Sequence, residues 1–277
     1  MGCQPTVQQT RHWSLSCDEL MKKMRSYFRH RGYDPASHGL APGLFPRYAL
    51  YVKTLRSSRC ASTLAQVQGV RVLDVGIAGQ QDFMPESKSL ATLLDDPGSM
   101  HGVLRHAGFE TYGIDIDATT IDYLRSVGVQ NVFTQSAEEL DRPEGPFDTI
   151  VGGEVIEHLA NPGQFLVRAK RHLAPNGRIV LTTPNPFSLM YILFGTLKFP
   201  NTSPNPQHVA WFCPGTMAAL AERSGLAVSQ VVPIDDYELS MGSLLYRLFG
   251  RLMMLARPVI PSRLRGNSIL YVLVPKT

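Results

Sequence analysis

The sequence predicts an α/β fold, a parallel sheet with helices on both faces, and three observations carry that expectation. From Val70 onward, short apolar runs alternate with amphipathic ones. Strand–helix alternation of this kind builds a parallel sheet covered on both sides. The first apolar run ends in a glycine turn and the second in an acid; such sheets bind ligands at the carboxyl ends of their strands. Hydrophobic residues make up 44% of the 277 residues, enough for a sizeable core, which excludes a disordered or collagen-like chain.

The elements follow in order. Residues 1–69 read as an N-terminal helical cap. Ser16-Cys17-Asp18-Glu19 is a capping box, followed by Leu20, Met24 and Phe28 at helical spacing. The Gly/Pro-rich stretch Gly32–Pro46 separates this helix from a second near Arg47–Arg56. Residues 70–277 read as the α/β domain. Strands are expected at Arg71–Val75, Thr111–Ile114, Asn131–Thr134, Thr149–Gly152, Arg178–Thr182, Ala227–Pro233 and Ser268–Val274. Helices are expected at Met100–Gly108, Thr119–Val127, Glu157–Leu159, Pro162–Leu173 and Pro214–Ser224. Three insertions interrupt this alternation, near 80–99, 186–212 and 237–266.

Charge and cysteine usage bound the partners. There are 27 basic and 23 acidic residues, a net charge of +4, too small to argue for nucleic acid. The charge is uneven, because Met241–Thr277 holds six basic residues and no acid, leaving the rest of the chain at −2. A basic, apolar tail fits an anionic ligand or surface, including peripheral membrane contact; it equally fits arginines that solubilise an apolar helix. Cys3, Cys17, Cys60 and Cys213 show no CxxC spacing and read as reduced thiols. With no apolar leader run at the start, the expected compartment is the cytoplasm. The longest uncharged run, Ile179–Leu197, contains Pro184, Asn185 and Pro186, a strand and loop rather than a membrane span.

Four motifs carry the chemistry. Val72-Leu73-Asp74-Val75-Gly76-Ile77-Ala78-Gly79-Gln80 ends a buried strand in a glycine turn that lets backbone approach a ligand. It lacks the second and third glycines of GxGxxG, which argues against nicotinamide or flavin. Tyr112-Gly113-Ile114-Asp115-Ile116-Asp117 places an acid where it can accept hydrogen bonds from ribose hydroxyls; an isolated acid there can equally be a helix cap. Phe147–Leu159 and Leu173–Pro186 complete the series.

In this order the four motifs resemble the class I S-adenosylmethionine-dependent methyltransferases, and most of all the group that includes the ubiquinone-pathway and natural-product O-methyltransferases. The resemblance covers Val70–Leu226 and includes His208-Val209-Ala210-Trp211-Phe212. It implies a Rossmann-like seven-stranded sheet and S-adenosyl-L-methionine as cofactor. The Gly76, Ala78 and Gly79 turn would lie along the methionine part, with Asp74 ordering it. Asp115 would hold the ribose, Ile116 pack on the adenine, and Ala137 and Glu138 meet the adenine amine; Glu154 belongs to the same cofactor set. Two departures from the family pattern are evident: Ala78 and Gln80 replace glycines, and 41 residues separate Asp74 from Asp115, against about twenty in an ordinary dinucleotide unit.

Glu154, Glu157 and His158 follow the fourth strand, and His208 lies in a segment returning to the same edge. Three readings stand. His158 or His208 is a general base for a hydroxyl acceptor, with Glu157 beside it. Alternatively, Glu157 and His158 bond local backbone. In the third, two glutamates and two histidines bind a divalent metal, a pattern that also resembles the small-RNA 3′-end 2′-O-methyltransferases. The apolar insertions Phe187–Gly195 and Leu244–Leu255 would form a lid over a small apolar, aromatic or lipid-linked acceptor, or pack on each other. A non-catalytic S-adenosylmethionine-binding protein is the alternative from outside the enzymes.

Overall fold

The computed structural model describes residues 59–79, 99–189, 191–192, 207–234, 252, 255–256 and 258–276. The predicted capping box and the Arg47–Arg56 helix lie outside these residues. So does residues 80–98 of the first insertion, together with most of the Leu244–Leu255 segment. Residues 57–277 form one unit, built as α1 (Arg59–Leu64), β1 (Arg71–Val75), α2 (Met100–His106), β2 (Glu110–Asp115), α3 (Ala118–Ser126), β3 (Val132–Thr134), β4 (Phe147–Gly153), α4 (Pro162–Arg171), β5 (Leu173–Pro184), α5 (Pro214–Arg223), β6 (Leu226–Ile234) and β7 (Ser268–Pro275).

The seven strands form one sheet in the order β3-β2-β1-β4-β5-β7-β6. β1 pairs in parallel with β2 and β4, and β4 with β5, whereas β7 runs antiparallel between β5 and β6. The expected parallel sheet is therefore mixed at one edge. The strands of the centre are buried on both faces, which is why they read as continuous apolar runs rather than alternating ones. Val72, Leu73, Ile150, Val151, Ile179, Val180 and Leu181 are all fully buried. From α4, Phe165, Leu166 and Ala169 join this core.

Local chemistry sets the helix starts. Asp117 caps α3 by accepting the Thr119 and Thr120 N–H groups, and Asn161 caps α4 with Pro162 in its first turn. Ser99 accepts the Gly102 N–H at the start of α2. Cys213 opens α5, where its N–H donates to Thr216 Oγ1 at 2.9 Å. The helix expected through Leu173 ends at Arg171, because β5 begins at Leu173 and pairs with Phe147.

Asn185, in the fourth motif, clamps the far end of β5. Its Nδ2 donates to the carbonyls of Arg263, Arg265 and Gly266, and its Oδ1 accepts the Phe187 N–H. Among the described residues no helix is long and apolar enough to cross a membrane.

Candidate functional site

The strand order reverses between β1 and β4, where open α/β sheets form their ligand crevice. Val75 lies opposite Gly152, so the turns leaving these two strands stand side by side. In the first turn Gly76 has φ +82° and Gly79 φ +65°. A Cβ on Gly76 would come within 2.4 Å of Val155 Cγ2. The position therefore needs both the left-handed conformation and the bare Cα of glycine.

Hydrogen bonds hold the rest of the turn. Gly76 N–H donates to the Ile114 carbonyl at 2.9 Å, and Ala78 N–H donates to Asp115 Oδ2 at 2.8 Å. Asp115 Oδ1 accepts the Asp117 N–H at 2.9 Å. Each carboxylate oxygen retains a second lone pair. Burial raises the pKa of Asp115, against the lowering effect of these backbone donors. Asp74 is buried beneath, and burial raises its pKa while His101 opposes the shift.

The remaining predicted cofactor residues are spread along the same edge. Ile116 is 74% exposed. Ala137 is buried in a short 3-10 turn after β3. Glu138, in the same turn, accepts the Asn161 N–H through Oε1 at 2.6 Å, and its carbonyl accepts from Gln164 Nε2 at 3.0 Å. Glu138 thus ties the β3 turn to the start of α4.

The second turn is built differently. Glu154 follows β4 with φ +55°, a conformation uncommon for a residue with a Cβ. Its N–H donates to the Thr182 carbonyl at 2.9 Å, and its carboxylate pairs with Arg59 at 3.1 Å. A 3-10 turn, Ile156–His158, follows. Glu157 is fully buried, and among the described residues neither carboxylate oxygen has a hydrogen-bond partner. Burial first, then the charge of Glu154, push its pKa well above the ordinary carboxylate range, with Thr183 and Arg59 opposing.

The backbone carbonyl of Glu157 has a separate task. It accepts the Val209 and Ala210 N–H groups at 2.9 and 3.3 Å, which lays the returning segment against the turn. The His158 and His208 rings meet edge to face, 4.8 Å between centroids. Burial lowers the pKa of both; with His158 alongside, that of His208 falls to about 4. His208 therefore carries a lone pair near neutral pH. Glu157, His158 and His208 each present an atom capable of ligating a metal, all within 4.8 Å of one another. Glu154, turned to Arg59, stands outside that group. Trp211 extends the ring series from His208 (6.1 Å) to Tyr191 (5.5 Å).

Residues 59–231 match the family described as "Methyltransferase domain". The chain belongs to this family. The glycine cradle at Gly76 beside Asp115 fits S-adenosylmethionine, the cofactor that the motif resemblance implies. Two proteins named ubiquinone biosynthesis O-methyltransferase are similar. The one from Azorhizobium caulinodans is 32% identical over 126 residues, covering 45% of this chain and 44% of its own. The one from Maricaulis maris is 29% identical over 128 residues, covering 46% and 45%. The match spans less than half the length of these relatives. A solved S-adenosylmethionine-dependent methyltransferase from Archaeoglobus fulgidus shares the fold at 18% identity, with a TM-score of 0.50, over 82% of this chain and 98% of that one.

Two residues of this methyltransferase site were not found from sequence. Arg59 opens α1, outside the bounds of the helices expected from the sequence, and His101 sits on an expected helix without a partner visible in the sequence.

Proposed function

We propose that the protein transfers the methyl group of S-adenosylmethionine to a hydroxyl of an apolar, aromatic or lipid-linked acceptor, with the His158–His208 pair taking the hydroxyl proton. The observation that carries this is the neutral histidine pair beside the buried Glu157 carboxylate, one turn from the Gly76 cradle. When bound, the cofactor supplies an electrophilic methyl carbon on a cationic sulfonium. Gly76, Ala78 and Gly79 hold its methionine part, Asp115 accepts from the ribose hydroxyls, and Ile116, Ala137 and Glu138 border the adenine. An imidazole nitrogen of the pair would accept the proton that the acceptor's hydroxyl gives up on methylation. Glu157 stabilises the resulting imidazolium. Holding oxygen, carbon and sulfur in line is the larger part of the work, and the base adds about 10²–10⁴ in rate.

The acceptor class is supported by the Tyr191–Trp211–His208 ring series and by half-exposed Phe187 and Ile192 near it in sequence. The names of the relatives point to the same chemistry. Peripheral contact with an anionic membrane is supported by exposed Leu252, Leu255 and Val259 within the acid-free tail.

The test is labelled-methyl transfer to hydroxylated aromatic and prenylated acceptors. His158→Ala and His208→Ala should lower kcat by about 10²–10⁴ and leave the Kd for S-adenosylhomocysteine unchanged. Full turnover in both variants would overturn the histidine base.

A second reading has its own observation. Glu157 offers two unpartnered oxygens beside two histidines, a mixed nitrogen–oxygen donor set that suits a divalent cation. Such an ion would hold the acceptor oxygen and lower its pKa. Loss of turnover with a chelator, restored by manganese, magnesium or zinc, would select this reading. The small-RNA pattern of two glutamates and two histidines is met only in part, because Glu154 pairs with Arg59, and the −2 charge of residues 1–240 argues against nucleic acid.

A further inference from the structure

A second buried pair lies beneath the first turn, away from the histidines just described. His101, on α2, is 2% exposed, and its Nδ1 stands 3.6 Å from Asp74 Oδ2. That is an electrostatic contact just beyond hydrogen-bond length. Among the described residues neither ring nitrogen has a hydrogen-bond partner, an expensive arrangement for a buried imidazole. The room for the ring is provided by β2. Gly113 lies opposite Asp74 in the sheet, and a Cβ there would come within 2.8 Å of His101 Cε1. The same Cβ would also come within 2.7 Å of Ile77 Cδ1, so the bare Cα of glycine leaves room for both side chains.

The carboxylate it faces sits in a crowded place. Asp115, at the end of β2, adds its negative charge to the burial that already disfavours an ionised Asp74. Asp115 is also the group that accepts the Ala78 N–H and so shapes the cofactor turn. Among the described charged groups of the neighbouring elements, Arg59 of α1 pairs with Glu154, Asp117 caps α3, and Arg105 of α2 is exposed.

We infer that His101 is a positioning residue for the cofactor. Its imidazole, seated over Gly113, faces the Asp74 carboxylate and steadies it beside Asp115, so that Asp115 keeps both the Ala78 amide and the ribose. The inference rests on the assignment of the Gly76–Gly79 turn to S-adenosylmethionine. It concerns binding rather than proton transfer from the acceptor.

The sign of the pH dependence follows. Removing a positive or donor group from a carboxylate raises that carboxylate's pKa. Cofactor binding that needs the ionised acids would then be lost at a higher pH as the solution is acidified.

The experiment is calorimetric titration of the full chain with S-adenosylhomocysteine from pH 5 to 8. His101→Leu should bind about tenfold more weakly at pH 7.5, and the midpoint of its acid loss should lie about one pH unit above that of the wild type. His101→Gln, which keeps an N–H donor, should bind within about threefold of wild type. Adding Asp74→Asn to His101→Leu should return the midpoint to the wild-type value, because a neutral side chain no longer repels Asp115. Thermal melts of each variant confirm folding, and His101→Gln serves where His101→Leu does not fold. Wild-type affinity and midpoint in a folded His101→Leu, a double variant whose midpoint stays as far shifted as that of His101→Leu, or a folded His101→Gln that binds tenfold more weakly than wild type would overturn the inference alone. A wild-type protein that binds no S-adenosylhomocysteine at any pH would overturn the cofactor assignment and this inference with it.

Discussion

Glu157 is held in the folded protein at a cost. A carboxylate with no hydrogen-bond partner among the described residues and no water-exposed surface takes up a proton more readily than the same group in the unfolded chain. Between the ordinary glutamate pKa and its raised folded value, the native state therefore holds more protons than the unfolded state. Stability falls as pH rises through that window, and the loss is complete above it. In metal-free protein, Glu157→Gln should remove this dependence and raise stability at pH 7.5 by about 1–3 kcal/mol, while lowering turnover. Thermal denaturation with EDTA present reads the first effect; an unchanged or lower Tm would show that the carboxylate is stabilised by something else. Asp115 is the opposite case, an acid whose oxygens already accept two backbone N–H groups. Asp115→Ala should weaken S-adenosylhomocysteine binding by about 1.5–3 kcal/mol, the range for charge-assisted hydrogen bonds. Calorimetry showing wild-type affinity would refute its role at the ribose.

At the level of elements, the site is made by two unlike turns. The one after β1 depends on glycine conformation. The one after β4 depends on a glutamate in the left-handed region, pinned by Arg59 and by the Thr182 carbonyl. Gly76→Ala meets two penalties at once. The left-handed backbone costs a residue with a Cβ about 1–2 kcal/mol, and the added carbon collides with Val155. The variant should melt at a lower temperature and lose at least tenfold in cofactor affinity. Pairing it with Val155→Ala should recover part of the stability, because the collision is relieved and the backbone strain is not. If the single variant binds normally, the turn does not approach the cofactor.

For the molecule as a whole, charge and apolar exposure are concentrated late in the chain. Leu252, Leu255 and Val259 are exposed by 60%, 80% and 82%, in a stretch with six basic residues and no acid. Replacing all three with glutamate should abolish co-sedimentation with vesicles rich in phosphatidylglycerol. Cofactor affinity should stay as it was, since none of the three belongs to the sheet. Equal sedimentation of wild type and variant, or none by the wild type, would remove the membrane from the acceptor's description.

Much of this was legible in the amino-acid order, for physical reasons. Six strands fall within two residues of their expected places, the central ones because strands of a covered sheet must be apolar on both faces, whereas β5 begins five residues earlier than expected, where the end of a helix was placed. The glycine turn, the acid after β2 and the cofactor class follow from motifs that are local in sequence. The antiparallel β7 was not legible, since direction within a sheet depends on which strand edge a segment reaches. Nor were the pairs that decide the site. His101 meets Asp74, and Arg59 meets Glu154, across loops whose length gives no sign of the meeting. His208 lies 50 positions from His158 and touches it only because Val209 and Ala210 bond to the Glu157 carbonyl. Spacing alone placed Glu154 with Glu157 and His158, whereas the fold turns its carboxylate to an arginine. Sequence determines the elements and the chemistry available to them; only the tertiary structure decides which side chains share a charge, because burial and proximity are properties of the assembled sheet.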